Sequence, residues 1–98
     1  MERRRYKVRL VINDQKVNEV IIDPHYEKRH KSSIDDQIIL ELVNMLDGGE
    51  FPRSDSDDQF EYFVTDEMNL KGKLYKLIWL LEKDKLYIGV INAYRRKT

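Results

Sequence analysis

The sequence predicts an α+β fold of order β-β-α-β-β-β: a mostly antiparallel sheet with one main amphipathic helix packed on one face. Three observations carry this reading. Apolar and polar residues alternate over residues 6–12 and again over 60–64. Residues 33–47 switch to three- and four-residue spacing, and turn residues separate the runs. At 98 residues the chain suits one domain, residues 1–98, able to bury about two thirds of its unfolded surface.

Tyr6, Val8, Leu10 and Ile12 fall at every second position with Lys7 and Arg9 between, which is the period of a strand with one face toward a core. Asn13-Asp14-Gln15 is turn chemistry, because short polar side chains tolerate the left-handed region. Val17–Ile22 returns as the second arm of a hairpin, and Pro24, which has no N–H to donate, stops it. Ile34, Ile38, Ile39, Leu42, Val43 and Leu46 then share one helical face. Ser33 is the expected cap, with Asp36 three positions on, and Gly48-Gly49 is the expected stop. Residues 50–58 read as a polar loop. Phe60, Tyr62 and Val64 mark a third strand, Leu74–Glu82 a fourth and Leu86–Tyr94 a fifth. The fourth is apolar on both faces over Leu77–Leu81, so it should be central or should face a partner. Gly89 suggests a bulge or a close backbone approach. Short connections favour a meander for the last three strands.

Composition narrows the functions without naming one. Lys and Arg total 18 against 18 Asp and Glu, so the formal net charge is zero. Apolar residues at 41% and charged ones at 37% describe a packed chain with a charged exterior. The longest apolar run, Leu77–Leu81, is five residues, far short of the ~20 that span a bilayer, so no membrane role is expected. No apolar stretch follows Met1-Glu2-Arg3-Arg4-Arg5, so no signal peptide is expected. The chain has no cysteine, which excludes disulfides, thiolate metal sites and cysteine nucleophiles and fits a reducing, cytoplasmic setting. Charge is nevertheless clustered. Arg3, Arg4, Arg5, Lys7 and Arg9 crowd one end and Arg95, Arg96 and Lys97 the other, while residues 54–67 hold six acids and no base. If the two ends meet, they form one cationic patch, and clustering of this kind selects partners more than net charge does.

Two segments carry candidate chemistry. Asp23–Lys31 contains both histidines, His25 and His30, in a connection between the second strand and the helix. Histidine exchanges protons near neutral pH. Histidines five apart match no zinc pattern, and without cysteine neither a metal nor another cofactor is expected. Asn92–Lys97 ends the last strand with a tyrosine beside arginines, a pairing that stacks on a base and grips a phosphate. Metal-independent RNA cleavage needs a base, an acid and cations at the phosphorus. His30, Tyr94 and Glu27 are the candidates for proton transfer, with Arg29, Arg95 and Lys28 as the cations. Arg3, Arg4, Arg5, Lys28, Arg29, Arg96 and Lys97 are the candidate nucleic-acid contacts. This requires the His30 segment and the end of the last strand to meet on one face.

Taken together, the His25–His30 stretch, the helix after it, Tyr75–Leu81 and Ile88–Arg96 resemble the superfamily of small RNase toxins that includes RelE toxins, barnase, EndoU and colicin nucleases. The resemblance covers roughly residues 25–96. It lies in the order of helix then antiparallel strands, in a hydrophobic strand containing Tyr75-Lys76-Leu77-Ile78-Trp79, and in a last strand ending Ala93-Tyr94-Arg95-Arg96. It implies an endoribonuclease whose last strand acts on messenger RNA and whose site an antitoxin blocks, with His30, Tyr94, Arg95 and Arg96 in those roles. The other readings are a noncatalytic module that binds RNA or an acidic protein, and an accessory protein whose apolar fourth strand builds a homodimer.

Overall fold

The computed structural model describes residues 2–96. Its elements are β1 (Arg4–Ile12), β2 (Gln15–Ile22), a 3-10 turn (Pro24–Tyr26), α1 (Glu27–His30), α2 (Asp36–Asn44), β3 (Asp55–Ser56), β4 (Phe60–Leu70), β5 (Lys73–Glu82) and β6 (Tyr87–Arg96). The fold is α+β, with one six-stranded sheet in the order β1-β2-β6-β5-β4-β3. All neighbours are antiparallel except β2 and β6, which run parallel from Glu19 opposite Tyr87 to Ile22 opposite Val90. The last three long strands form a meander, and β6 slots between β5 and the hairpin.

Local chemistry explains where the elements start and stop. The β1–β2 and β4–β5 connections are two-residue turns with both residues in the left-handed region, Asn13 and Asp14 in one (φ 53° and 62°), Lys71 and Gly72 in the other (φ 55° and 82°). This geometry matches the right-handed twist of the paired strands. The helix is shorter than the apolar spacing suggests. Asp35, in extended conformation, accepts from the Ile38 N–H at 2.8 Å and caps it. Ser33 is not the cap; its backbone N–H bonds to the His30 carbonyl at 3.0 Å. Beyond α2 the chain is stitched to the free edge of β1. Asp47 accepts from the Val11 N–H at 2.8 Å, and the Gly48 N–H donates to the Val11 carbonyl at 2.7 Å. Two further expectations change. The polar loop contains β3, which pairs Asp55 with Tyr62 and Ser56 with Glu61. The third predicted strand runs on to Leu70 through an irregularity between Thr65 and Met68.

The core lies between the helices and one face of the sheet. Ile39, Leu42 and Val43 of α2 are fully buried with Ile12, Val20, Ile22, Leu77, Trp79 and Ile88. Phe63 stacks on Trp79 with centroids 4.1 Å apart, and Phe51 meets Trp79 edge-on at 5.6 Å. The indole N–H of Trp79 donates to Thr65 Oγ1 at 2.9 Å, so its polar edge is satisfied. β5 is interior, as its apolar run predicts. Its Tyr75, Leu77, Trp79 and Leu81 are buried against the helix side, while Leu74, Lys76, Ile78 and Leu80 on the opposite face are only half-buried.

Truncating Leu42 to alanine opens a cavity in this layer, and urea unfolding should show a loss of about 2–5 kcal/mol. Lys71→Asn should raise stability in the same assay by up to ~1 kcal/mol, because asparagine tolerates the left-handed turn better than lysine.

Candidate nucleic-acid interface

The segment that carries both histidines is held by one carboxylate. Asp36, at the start of α2, accepts four hydrogen bonds. Arg4 Nε donates at 2.6 Å, Arg4 Nη2 at 2.9 Å, the Tyr6 hydroxyl at 2.5 Å and the Tyr26 hydroxyl at 2.8 Å. The guanidinium of Arg4 also reaches Glu27 at 3.4 Å. Asp36 thus ties α2 to β1 and the 3-10 turn, and Arg4 extends the tie to α1. Burial alone raises the Asp36 pKa, but the bonds from Arg4, Tyr6 and Tyr26 outweigh it and bring the group down to about 2. The same contact raises Arg4, and burial followed by the bond to Asp36 raises Tyr26 well above the ordinary phenol range. Asp23 accepts from the His25 N–H at 2.9 Å, and Pro24 opens the turn. The Asp23 N–H continues the parallel ladder to the Val90 carbonyl at 3.0 Å. The chain then leaves the ladder, and the 3-10 turn and α1 pack beside the rest of β6.

This packing brings His30 to Tyr94. Their rings stack with centroids 5.2 Å apart and planes 25° from parallel. Lys76, directly across from Tyr94 on β5, lies with Nζ 5.6 Å from the tyrosine centroid. Arg95 is across from Tyr75, which is buried in the core, so the pleat sends it to the helix side. There it borders a cavity of about 260 Å³ with Lys31, Ser32, Ser33, Lys73 and one acid, Asp35. The end of β6 therefore carries cations on both faces around an aromatic pair. None of Lys28, Arg29, Lys31, Lys73, Lys76 and Arg95 forms an ion pair among the described residues.

The other sequence candidates are distributed differently. Glu27 accepts from Arg4 and is not beside Tyr94 in the stack. Arg4 and Arg5 are strand residues rather than a tail: Arg4 is bound to Asp36, and Arg5 pairs with Glu19 at 3.0 Å. Arg3 is exposed and borders a groove on the helix-free face of the sheet. Arg96 pairs with Asp66. Lys97 lies outside the described residues. Both basic ends reach the same end of the sheet, because β1 runs antiparallel to β2 and β2 parallel to β6, but the 3-10 turn and α1 stand between them. The acidic residues Asp55–Asp58 are at the opposite edge, on and after β3. Lys73 and Lys76 escape the sequence reading, since only the pairing of β5 with β6 places them beside Tyr94 and Arg95, and Lys31, at the end of the histidine segment, joins Lys73 and Arg95 only through the packing of α1. Among the described residues no three His, Cys, Asp or Glu side chains are grouped to hold a metal, and no helix is long and apolar enough to cross a membrane.

The fold and this corner define an α+β protein with a cation-rich aromatic surface at one end of its sheet. No family matches the chain, and no curated protein or solved structure matches it.

The sign of the Asp36 linkage gives a test of the clamp. Its pKa is lower folded than unfolded, so its contribution is complete above pH ~4 and is lost as pH falls toward 2. Chemical denaturation of the parent should show stability falling by ~2 kcal/mol across that window. Asp36→Asn should start less stable at pH 7 and show a much flatter acid limb.

Proposed function

We propose that this protein binds single-stranded RNA at the β6 corner, without cleaving it. The observation that carries the reading is the His30–Tyr94 stack with Lys76 5.6 Å from the tyrosine ring, beside a cavity whose described lining sets Lys31, Lys73 and Arg95 against one acid, Asp35. Phosphates are drawn to Lys28, Arg29, Lys76 and to the Arg95–Lys73–Lys31 cavity, while an unpaired base adds to the aromatic pair. Single strands suit this geometry because a strand rounding the end of β6 meets cations on both faces, which a rigid duplex cannot follow.

Binding is favoured over cleavage by placement. Proton transfer at one phosphate requires a base, an acid and a cation facing the same atoms. The stack holds His30 with Tyr94, Arg95 is on the other side of the pleat, and the Glu27 carboxylate accepts from Arg4.

Fluorescence anisotropy with a labelled single-stranded RNA across a salt series tests this. Affinity should fall as salt rises, with a logarithmic slope of about −0.7 for each phosphate neutralised. Lys73→Ala with Arg95→Ala should make that slope shallower. Tyr94→Leu should weaken binding by roughly tenfold with the slope retained, the size of one lost stacking contact. The RNA should be recovered intact. No binding at low salt would overturn the reading, and cut RNA whose cleavage is lost in His30→Ala would replace it with the toxin-like nuclease reading.

A further inference from the structure

The face of the sheet opposite the helices carries an uncharged row across its middle, with Glu19 and Glu82 in the row beside it, and is oppositely charged at its two edges. One cross-strand row shows this. Arg5 on β1 is level with Ile21 on β2, Ile21 with Gly89 on β6, Gly89 with Leu80 on β5, Leu80 with Tyr62 on β4, and Tyr62 with Asp55 on β3. The row therefore begins on a cation, crosses four uncharged positions and ends on an anion. At its centre is a groove of about 290 Å³ above Gly89. A Cβ on Gly89 would come within 2.8 Å of Leu80 Cδ1, so the glycine is what lets Leu80 lean across the strand and leaves the hollow beside it. Val64, beside the row and level with Ile78, is 47% exposed.

From this we infer that a second copy of the chain covers the face, packed sheet to sheet with the two-fold axis parallel to the strands. That axis passes between β6 and β5, the middle of the six-strand order. It lays β1 of one copy over β3 of the other, β2 over β4 and β6 over β5. Arg5, which also pairs with Glu19 of its own copy, then lies over Asp55 of the partner copy, twice per dimer, and Leu80 lies over the hollow at Gly89. A two-fold axis across the strands instead sets Arg5 against Arg5 and Asp55 against Asp55, so the charge pattern selects the first arrangement. Aligned sheets of this kind pack ~10 Å apart with a small rotation between strand directions. Five strand spacings of ~4.8 Å and strands of about eight residues give a face of roughly 600 Å² in projection, the order of the ~800 Å² per partner in a standard interface. This inference rests on the helix-free face and not on the RNA reading.

Sedimentation equilibrium on protein freed of nucleic acid tests it. The parent should sediment as a dimer at micromolar concentration. Leu80→Arg should sediment as a folded monomer, its fold verified by circular dichroism and thermal unfolding. On a Glu19→Gln background, which removes the pair Arg5 makes within its own copy, Arg5→Glu and Asp55→Arg should each weaken the dimer about tenfold or more, and the double variant that combines them should recover most of the loss, because it reverses both charges of each cross-copy pair. A parent that stays monomeric at hundreds of micromolar overturns the inference, whatever the variants do. A dimer indifferent to the single charge reversals, or not recovered in the double variant, overturns the arrangement proposed.

Discussion

Everything at the functional end of this molecule depends on Asp36 being ionised and shared. The segment from Asp23 to His30 leaves the β-ladder after one bond to Val90, and α1 buries no residue of its own. A single helical turn is not stable in isolation. What fixes it is Tyr26, whose ring is buried and whose hydroxyl ends on Asp36, together with Arg4, which spans Asp36 and Glu27. Asp36 is itself positioned by α2, whose apolar face is locked into the core. Core packing thus places a carboxylate, the carboxylate places a turn, and the turn places His30 against Tyr94. Removing charge from Asp36 leaves Arg4 without its main partner in a half-buried site, which is why the clamp costs more to break than an exposed ion pair does.

The neutral total charge conceals an ordered distribution. Basic residues occupy β1 and the end of β6, and acidic residues occupy β3 and its flanks. Where opposite charges fall close together they cancel locally, as in Arg4–Asp36, Arg5–Glu19, Arg53–Glu61 and Arg96–Asp66. Where they do not, a field remains. Among the described residues the corner around Tyr94 holds more cations than acids, with Asp35 the acid lining its cavity, so a chain with no net charge still carries a local positive field. Within the sheet the same segregation guards against unwanted pairing. The free edge of β1 is charged and partly stitched by Asp47 and Gly48, and the far edge is the two-residue strand Asp55–Ser56, followed by Asp57 and Asp58.

Much of the fold was legible because it is local. Alternation in Tyr6–Ile12 and Phe60–Val64 marks strands, and the spacing of Ile39, Leu42 and Val43 marks the buried helix face. The parallel pairing of β2 with β6 was not legible, since it joins residues about 70 apart and leaves no periodic trace in either strand. Nor was the choice of Asp35 over Ser33 as cap, which turns on backbone conformation rather than residue type. Asp36 reads in the sequence as a carboxylate suited to a helix start; its ties to Arg4, Tyr6 and Tyr26 are all tertiary. The sequence pairs Tyr94 and Arg95 as one grip on a base and a phosphate, whereas the strand that contains both sends these neighbours to opposite faces. The convergence of His30 on Tyr94 depends on how the chain leaves β2, and no spacing along the sequence encodes that.

The corner and the helix-free face are linked by geometry. Tyr94 and Lys76 lie on the same face as Leu80 and Gly89, further along β6 and β5. A two-fold axis along the strands preserves direction, so two copies stacked on that face carry their Tyr94 corners at the same end and near the axis. In the proposed dimer β6 of one copy lies over β5 of the other, so Lys76 stands over the partner copy's Tyr94 and the sheet-side face of the aromatic pair is covered. RNA and the second copy therefore compete for that face. By linkage, RNA held at the corner would loosen the dimer, and the dimer would weaken RNA binding by the same factor.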